Sequence, residues 1–142
     1  LHFTEITVIS GHNHEWWKSG PLPEWPSTTE REQAQADYVE KLYKLLFEHP
    51  AVEAATWWDF SDRQAWLGAP SGLIRADGSP KPAFHRLLSL IGDQWCTHVQ
   101  AVTDEEGCFS FEGSAGEYEI ESGDRRWTLS VPSGPSEHHL GG

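Results

Sequence analysis

The sequence predicts an α/β protein in which a parallel sheet is followed by a small antiparallel β unit. Two apolar segments rich in β-branched residues, 1–9 and 52–60, each precede an amphipathic helix, which gives the order βαβα. Both segments are too apolar for a sheet with one face in water, so they predict parallel strands covered by helices. After Trp95, short runs alternate apolar and polar residues between turn signals, which is typical of antiparallel strands.

The first helix has clear start and stop signals. Ser27-Thr-Thr-Glu30 has the form of a capping box, and Pro50 cannot continue a helix. Residues 10–26 form a long loop before this helix, and a loop of that length within a compact unit is usually functional. The apolar stripe is expected at helical spacing, at Tyr38, Leu42, Leu45 and Leu46.

The second helix is predicted to follow a second loop, residues 61–79. Pro80 and Pro82 favour a helix start at Ala83, and Gly92 favours its end. Its apolar stripe is expected at Phe84, Leu87, Leu88 and Ile91.

The β unit is predicted to contain four short strands separated by turns. They are Val99–Thr103, Cys108–Glu112, Glu117–Glu121 and Arg125–Val131. We expect domain boundaries at 1–95 and 96–132, with a disordered tail over 133–142.

Composition excludes several classes of partner. The chain of 142 residues carries 22 acidic and 10 basic side chains, a formal net charge of -12, which disfavours nucleic acid and anionic membranes. A neutral polymer meets no such penalty. Eight tryptophans favour sugar binding, because indoles stack on the apolar faces of pyranose rings. There is no run of 18 apolar residues.

Two βα units cannot bury the sheet edges and faces that they present. We therefore expect either that the chain is a segment of a longer protein or that other copies complete the sheet. Four copies of two units would supply the eight strands of a closed barrel. The start at Leu1 directly before a strand favours the segment.

One carboxylate and one aromatic cluster stand out near the strand ends. Glu5 lies in the first apolar run, where an ionised side chain is costly unless it has a task or a partner. Trp57, Trp58 and Asp59 lie at the exit of the second strand. A carboxylate and an aromatic surface at neighbouring strand ends are what a sugar-cleaving site requires.

Several motifs together resemble the last quarter of glycoside hydrolase family 10. They are Phe3-Thr-Glu-Ile-Thr7, Leu46-Phe-Glu-His-Pro-Ala-Val52, Thr56-Trp-Trp-Asp-Phe-Ser-Asp62, Trp66, Gly72-Leu73, Asp77-Gly78 and Lys81-Pro-Ala83. The resemblance covers roughly residues 1–92. It implies strands seven and eight of a (β/α)8 TIM barrel from a retaining endo-β-1,4-xylanase. It also implies xylan as the polymer and a secreted or periplasmic parent protein. We expect no cofactor and no metal.

The resemblance assigns roles to three residues. Glu5 takes the position of the nucleophile, Trp58 lines the catalytic subsite, and Trp66 takes the position of the lid-loop tryptophan. The family's general acid, its neighbouring asparagine and the histidine that orients the nucleophile have no position in this chain. They are expected outside it or in another copy. The alternative function is a non-catalytic module that binds xylan or glucan.

Other features leave alternatives open. Trp16, Trp17 and Trp25 either line a cleft or clamp the first loop. His12, His14 and Glu15 are a weak zinc candidate, and residues 104–107 form a turn or a weak calcium site. Cys96 and Cys108 are either joined in a disulfide or are two buried thiols.

Overall fold

The structure, a computed structural model, describes residues 1–141. The last residue of the tail expected to be disordered therefore lies outside the described range. The chain divides into two compact units, Leu1–Ile91 and a second that starts at Gly92.

A parallel pair of strands forms the sheet of the first unit. β1 is His2–Ile6 and β2 is Ala54–Trp57, so both strands are shorter than predicted. His2 pairs with Ala54 and Ile6 with Trp57, with an irregularity in the register between Phe3 and Ile6. The predicted parallel pairing of two βα units is confirmed.

Burial on both faces of β1 is a prediction that the structure contradicts. Only Ile6 is buried, and the four residues before it, Glu5 included, are exposed. The reason is that β1 pairs with a single neighbour within the described residues, and its outward-alternating side chains have nothing packed over them. A short helix, α1 (Trp16–Ser19), lies in the loop after β1 and was not predicted.

The long helix α2 spans Thr29–Glu48 and begins one residue later than the predicted capping box. Thr28 is the N-cap, and its hydroxyl oxygen accepts a hydrogen bond from the Arg31 N–H at 3.3 Å. The Ser27 hydroxyl is engaged elsewhere, since it donates to Glu32 at 3.0 Å. The helix ends before His49, close to the predicted stop at Pro50.

The buried stripe of α2 differs from the predicted one. Leu46 is buried as expected, but Tyr38 is 57% exposed and Leu45 is 63% exposed. The buried residues are Glu32, Gln35, Ala36, Val39, Tyr43 and Leu46. Two of these residues are polar and have partners outside the helix: Gln35 donates to the Val8 carbonyl, and Glu32 accepts from Arg75. A prediction from apolar residues alone therefore missed part of the buried face.

The helix α3 spans Pro82–Ser89, with a proline in its first turn as predicted. Ala83, Leu87 and Leu90 are buried, whereas Leu88 and Ile91 of the expected stripe are exposed. A π-helical turn, Leu90–Gln94, follows. The loop between β2 and α3 contains two 3-10 turns, Asp62–Gln64 and Trp66–Gly68.

The second unit contains one antiparallel hairpin in place of the four predicted strands. β3 is Gly116–Ser122 and β4 is Arg125–Val131, paired in register from Gly116 with Val131 to Ser122 with Arg125. Residues 99–103 and 108–112 are not strands. Val99 and Val102 are exposed. Neither run pairs with a neighbouring strand among the described residues, and alternation alone does not form a strand.

The structure also bears on membrane-spanning helices and on the two cysteines. Within the described residues, no helix combines the length and apolar character that crossing a membrane requires. Cys96 and Cys108 form no disulfide, and both side chains are exposed, so the expectation of two buried thiols is wrong.

Candidate functional site

Glu5 lies on β1 immediately before the buried Ile6. Its side chain is exposed, and it has neither a hydrogen bond nor an ion pair with any side chain among residues 1–141. Lys81, a candidate partner at this end of the strand pair, is bound to Asp62 instead. The carboxylate of Glu5 is therefore open to a ligand and is not neutralised by a cation.

Trp58 lies at the exit of the neighbouring strand. Its backbone N–H donates to the carbonyl of Ile6 at 2.9 Å, which continues the parallel pairing one residue beyond β2. Its side chain is 45% exposed. Ile6 pairs with Trp57, so Glu5 immediately precedes this pair on β1 and Trp58 immediately follows it on the second strand.

Trp57 differs from its neighbour because its indole is held by the protein. Its ring N–H is shared between the carbonyls of Asp59 at 3.1 Å and Ser71 at 3.2 Å. The side chain is only partly exposed. These contacts give Trp57 a structural role, since a partly buried indole usually finds an acceptor for its N–H.

Asp59 connects the exit of β2 to the loop that carries Trp66. Asp59 adopts a left-handed backbone conformation, with φ of 66°. One oxygen of its carboxylate accepts hydrogen bonds from the Trp66 N–H at 3.1 Å and from the Ser71 hydroxyl at 2.8 Å. Asp59 therefore fixes the backbone at Trp66, whose indole is 55% exposed.

The tryptophans of the first loop fall into two groups. Trp25 is 8% exposed, and its indole N–H donates to the His12 carbonyl at 2.8 Å. Trp16 instead contacts Trp66 edge to face, with ring centroids 5.0 Å apart and planes at 74°. Trp17 contacts Trp16 at 6.1 Å. Trp25 thus clamps the loop, while the other two extend the exposed surface at Trp66.

A buried lysine ties both loops to the start of α3. Lys81 is fully buried, and its ammonium group donates to the Ser10 hydroxyl at 3.0 Å and the Pro70 carbonyl at 3.3 Å. It forms an ion pair with Asp62 at 2.7 Å. Burial lowers the pKa of Lys81, and the hydrogen bond and charge of Asp62 act in the opposite direction.

A second ion pair joins α2 to the loop before α3. The buried carboxylate of Glu32 accepts from Arg75 through both oxygens, with an Nε to Oε1 distance of 2.9 Å, and from the Ser27 hydroxyl. Burial alone would raise the pKa of Glu32, but the hydrogen bonds from Arg75 and Ser27 outweigh it and lower the pKa. Ser27 in turn contacts the Ser10 hydroxyl at 2.6 Å, which joins the two networks.

The network around Glu32 and Lys81 was not predicted from the sequence. An acid on the buried stripe of α2, in helical register with Gln35 and Val39, is the signal that predicts a paired Glu32. No comparable signal marks Lys81, because its burial depends on loops that are distant in sequence. Asp62 also accepts from the Gly72 N–H at 2.7 Å, so its carboxylate is committed to the scaffold.

The zinc candidate does not form a cluster. The His14 ring nitrogen is 2.8 Å from the Gly20 carbonyl, and Glu15 pairs with Lys18 at 2.7 Å. Within residues 1–141 there is no group of three or more histidine, cysteine, aspartate or glutamate side chains placed to hold a metal ion.

The paired strands of the first unit carry an exposed carboxylate, Glu5, near the end of β1 and an exposed indole, Trp58, at the exit of β2. A carboxylate can act as a nucleophile toward an anomeric carbon, and indole faces can hold the sugar ring in place. Asp59 and Asp62 are engaged by groups of the loops, whereas the Glu5 carboxylate has no side-chain partner among residues 1–141.

Comparisons with known proteins find several relatives of this chain. Over 111 residues the chain is 33% identical to Anti-sigma-I factor RsgI6 of Acetivibrio thermocellus, a match that covers 78% of the chain and 14% of that protein. It is 33% identical to Endo-1,4-beta-xylanase 1 of Arabidopsis thaliana over 91 residues, covering 63% of the chain and 9% of the relative. Endo-1,4-beta-xylanase 2 of the same plant is 30% identical over 104 residues, covering 70% of the chain and 10% of the relative.

The chain thus spans about a seventh or less of the length of these relatives. Residues 1–90, more than half of its 142 residues, match the family described as Glycosyl hydrolase family 10. The chain therefore belongs to glycosyl hydrolase family 10.

Proposed function

We propose that this chain contributes the nucleophile side of a retaining endo-β-1,4-xylanase site. In this proposal β1 and β2, with α2 and α3, are the seventh and eighth units of a (β/α)8 barrel. The remaining strands come from polypeptide outside this chain or from further copies of it. Family membership and the parallel pairing of the two strands support this assignment.

Glu5 is the proposed nucleophile. One of its carboxylate oxygens attacks the anomeric carbon of a xylose unit, the bond from that carbon to the leaving oxygen breaks, and a covalent glycosyl-enzyme forms. A general acid supplied from outside this chain, or by another copy, protonates the leaving oxygen. The same group then activates the water that hydrolyses the intermediate.

Trp58 and Trp66 hold xylose units beside Glu5 in this mechanism. The observation that carries the proposal is the exposed, unpaired carboxylate of Glu5 next to the strand exit that bears Trp58. A carboxylate that served only as scaffold would have a cation or several N–H donors, as Glu32 has. Because xylan is too large to enter a cell, the proposal also places the parent protein outside the cytoplasm, secreted or periplasmic.

An activated substrate tests Glu5 without the missing acid. A 2-deoxy-2-fluoro-β-xylobioside with a dinitrophenolate leaving group needs no protonation, and the fluorine slows hydrolysis of the intermediate. Attack by Glu5 forms the bond from carboxylate to anomeric carbon and expels dinitrophenolate with the bonding electrons. We expect intact-mass spectrometry to show one added fluoroxylobiosyl group and peptide mapping to place it on Glu5.

Two variants make this test specific. Glu5→Gln should abolish labelling, while Glu53→Gln, which alters an exposed glutamate paired with His2, should leave it unchanged. In the intact parent protein, Glu5→Ala should lower turnover by several orders of magnitude while xylan binding survives. Labelling at another residue, or retained turnover, would rule out the assignment.

A second candidate is a β-glycan-binding module that does not cleave its ligand. One matched relative carries the name of an anti-sigma factor and not of an enzyme, so similarity to that relative does not favour cleavage over binding. It predicts that Trp58→Ala and Trp66→Ala weaken binding to xylan or glucan, while Glu5→Gln leaves binding unchanged and no fluoro-sugar is attached.

A further inference from the structure

We infer that Trp16 and Trp17 form a second sugar-stacking surface, continuous with Trp66, that contacts additional units of the same β-linked polysaccharide. The inference deepens the proposed function and rests on it, because Trp66 joins the two surfaces. It assigns to the loop after β1 a role in recognising long chains in preference to short ones.

The geometry of the three rings supports a continuous surface. Trp66 contacts Trp16 with centroids 5.0 Å apart, and Trp16 contacts Trp17 at 6.1 Å, both edge to face. Trp16 is 38% exposed and Trp17 is 64% exposed. Each ring therefore retains accessible apolar area, and Trp16 links Trp17 to Trp66 through direct ring contacts.

The interior of the first loop is occupied by Trp25, not by Trp16 or Trp17. Trp25 fills the interior of the loop, packs edge to face with His14 at 5.3 Å, and donates its indole N–H to His12. A clamping residue is buried, as Trp25 is, whereas Trp17 remains mostly in water. Exposed tryptophans of this kind, clustered together, mark a binding surface.

The local charges favour a neutral ligand. Lys18 and Glu15, which flank the two tryptophans in sequence, form an ion pair at 2.7 Å, so they add no net charge to the surface. The whole chain is strongly acidic, which disfavours anionic partners. A neutral β-linked saccharide offers the C–H faces that indoles bind, and continuity with Trp66 places it on the polymer already proposed.

Calorimetric titration of the 142-residue chain with xylobiose and xylohexaose tests the inference. Trp17→Ala should weaken xylohexaose binding by about fivefold to thirtyfold, in line with the loss of one aromatic contact, and should change xylobiose binding by less than about twofold. The matched control is Tyr38→Ala, which removes an exposed aromatic ring from α2 and should change neither affinity. Circular dichroism verifies that each variant is folded.

The possible outcomes separate the inference from the proposed function. Unchanged xylohexaose binding by Trp17→Ala, or equal losses for both ligands, would overturn the second surface. If Trp58→Ala nevertheless weakens binding of both sugars, the proposed site survives that result. If the unaltered chain binds neither sugar, the inference fails, while fluoro-sugar labelling of Glu5 still decides the catalytic proposal.

Discussion

Two glutamates on neighbouring elements occupy opposite kinds of environment. Glu32 on α2 is buried, accepts hydrogen bonds from Arg75 and Ser27, and connects through Ser10 to the buried Lys81. Glu5 on β1 is exposed and has no partner among the described residues. One region of the first unit thus satisfies its charges internally, and the other leaves its carboxylate accessible.

Within the first unit, the residues that stabilise the fold are therefore distinct from the residues that are free to contact a ligand. In the region around Glu32 and Lys81, charges are removed from water and compensated by specific partners, so each group depends on the others. On the exposed face of β1, side chains contribute little to stability and remain free to contact a ligand. Substitutions in the two regions should therefore act on different measurable quantities.

The largest effect is expected for Lys81→Met. The substitution leaves Asp62, Ser10 and the Pro70 carbonyl without the ammonium group that they share. Removing one partner of a buried ion pair costs about 3–5 kcal/mol of unfolding free energy, since the other charge stays uncompensated. Urea denaturation followed by circular dichroism should show a much lower midpoint, or no folded baseline at all.

Lys44→Met provides the matched control for this change. Lys44 pairs with Glu40 at 2.7 Å on the surface of α2, where its side chain is 44% exposed. An exposed pair of this kind contributes less than about 1 kcal/mol. Equal midpoints for the two variants would show that the buried network does not stabilise the unit.

An intermediate effect is expected for Glu32→Gln. It keeps the shape of the side chain but removes the charge that Arg75 contacts through both carboxylate oxygens, at an expected cost of about 1–3 kcal/mol. The partial exposure of Arg75 keeps this cost below that of Lys81→Met. The measurement is the free energy of unfolding in urea at neutral pH.

The same residue predicts a dependence on pH. The pKa of Glu32 in the folded state lies below its ordinary value of 4.5, so the unfolded chain binds more protons between the two values. The stabilisation is fully present above pH 4.5 and is lost as the pH falls through the lowered folded pKa. Urea midpoints should therefore fall less steeply with acid in Glu32→Gln than in the unaltered chain, and parallel curves would contradict this.

The order and pairing of the elements in the first unit were predictable from local signals. Apolar β-branched runs gave the two strands, and Pro50 and Pro82 marked helix ends correctly within a few residues. The buried face of α2 was not predictable in the same way. Tyr38 and Leu45 are as apolar as the buried residues, and the true stripe contains Glu32 and Gln35, whose burial depends on partners from distant loops.

In the candidate site, too, some features were predictable from local sequence and others depend on contacts in the fold. Glu5, Trp58 and Trp66 were named from sequence, and their roles remain predictions that the labelling and binding experiments address. The sequence does not decide which tryptophans of the first loop clamp the loop and which are exposed to bind a sugar. Trp16, Trp17 and Trp25 are chemically identical, and only their contacts in the fold distinguish them: Trp25 with the His12 carbonyl, and Trp16 with Trp66.

The smallest effect is expected for Glu5→Gln, which repeats the Glu32→Gln change in the open region. Because the Glu5 carboxylate has no internal partner, the unfolding free energy should change by no more than about 0.5 kcal/mol. The variant should also lose all fluoro-sugar labelling. Loss of chemistry without loss of stability is the result expected for a nucleophile. A destabilisation as large as that of Glu32→Gln would instead show that Glu5 has a structural partner, and the two regions would no longer differ in kind.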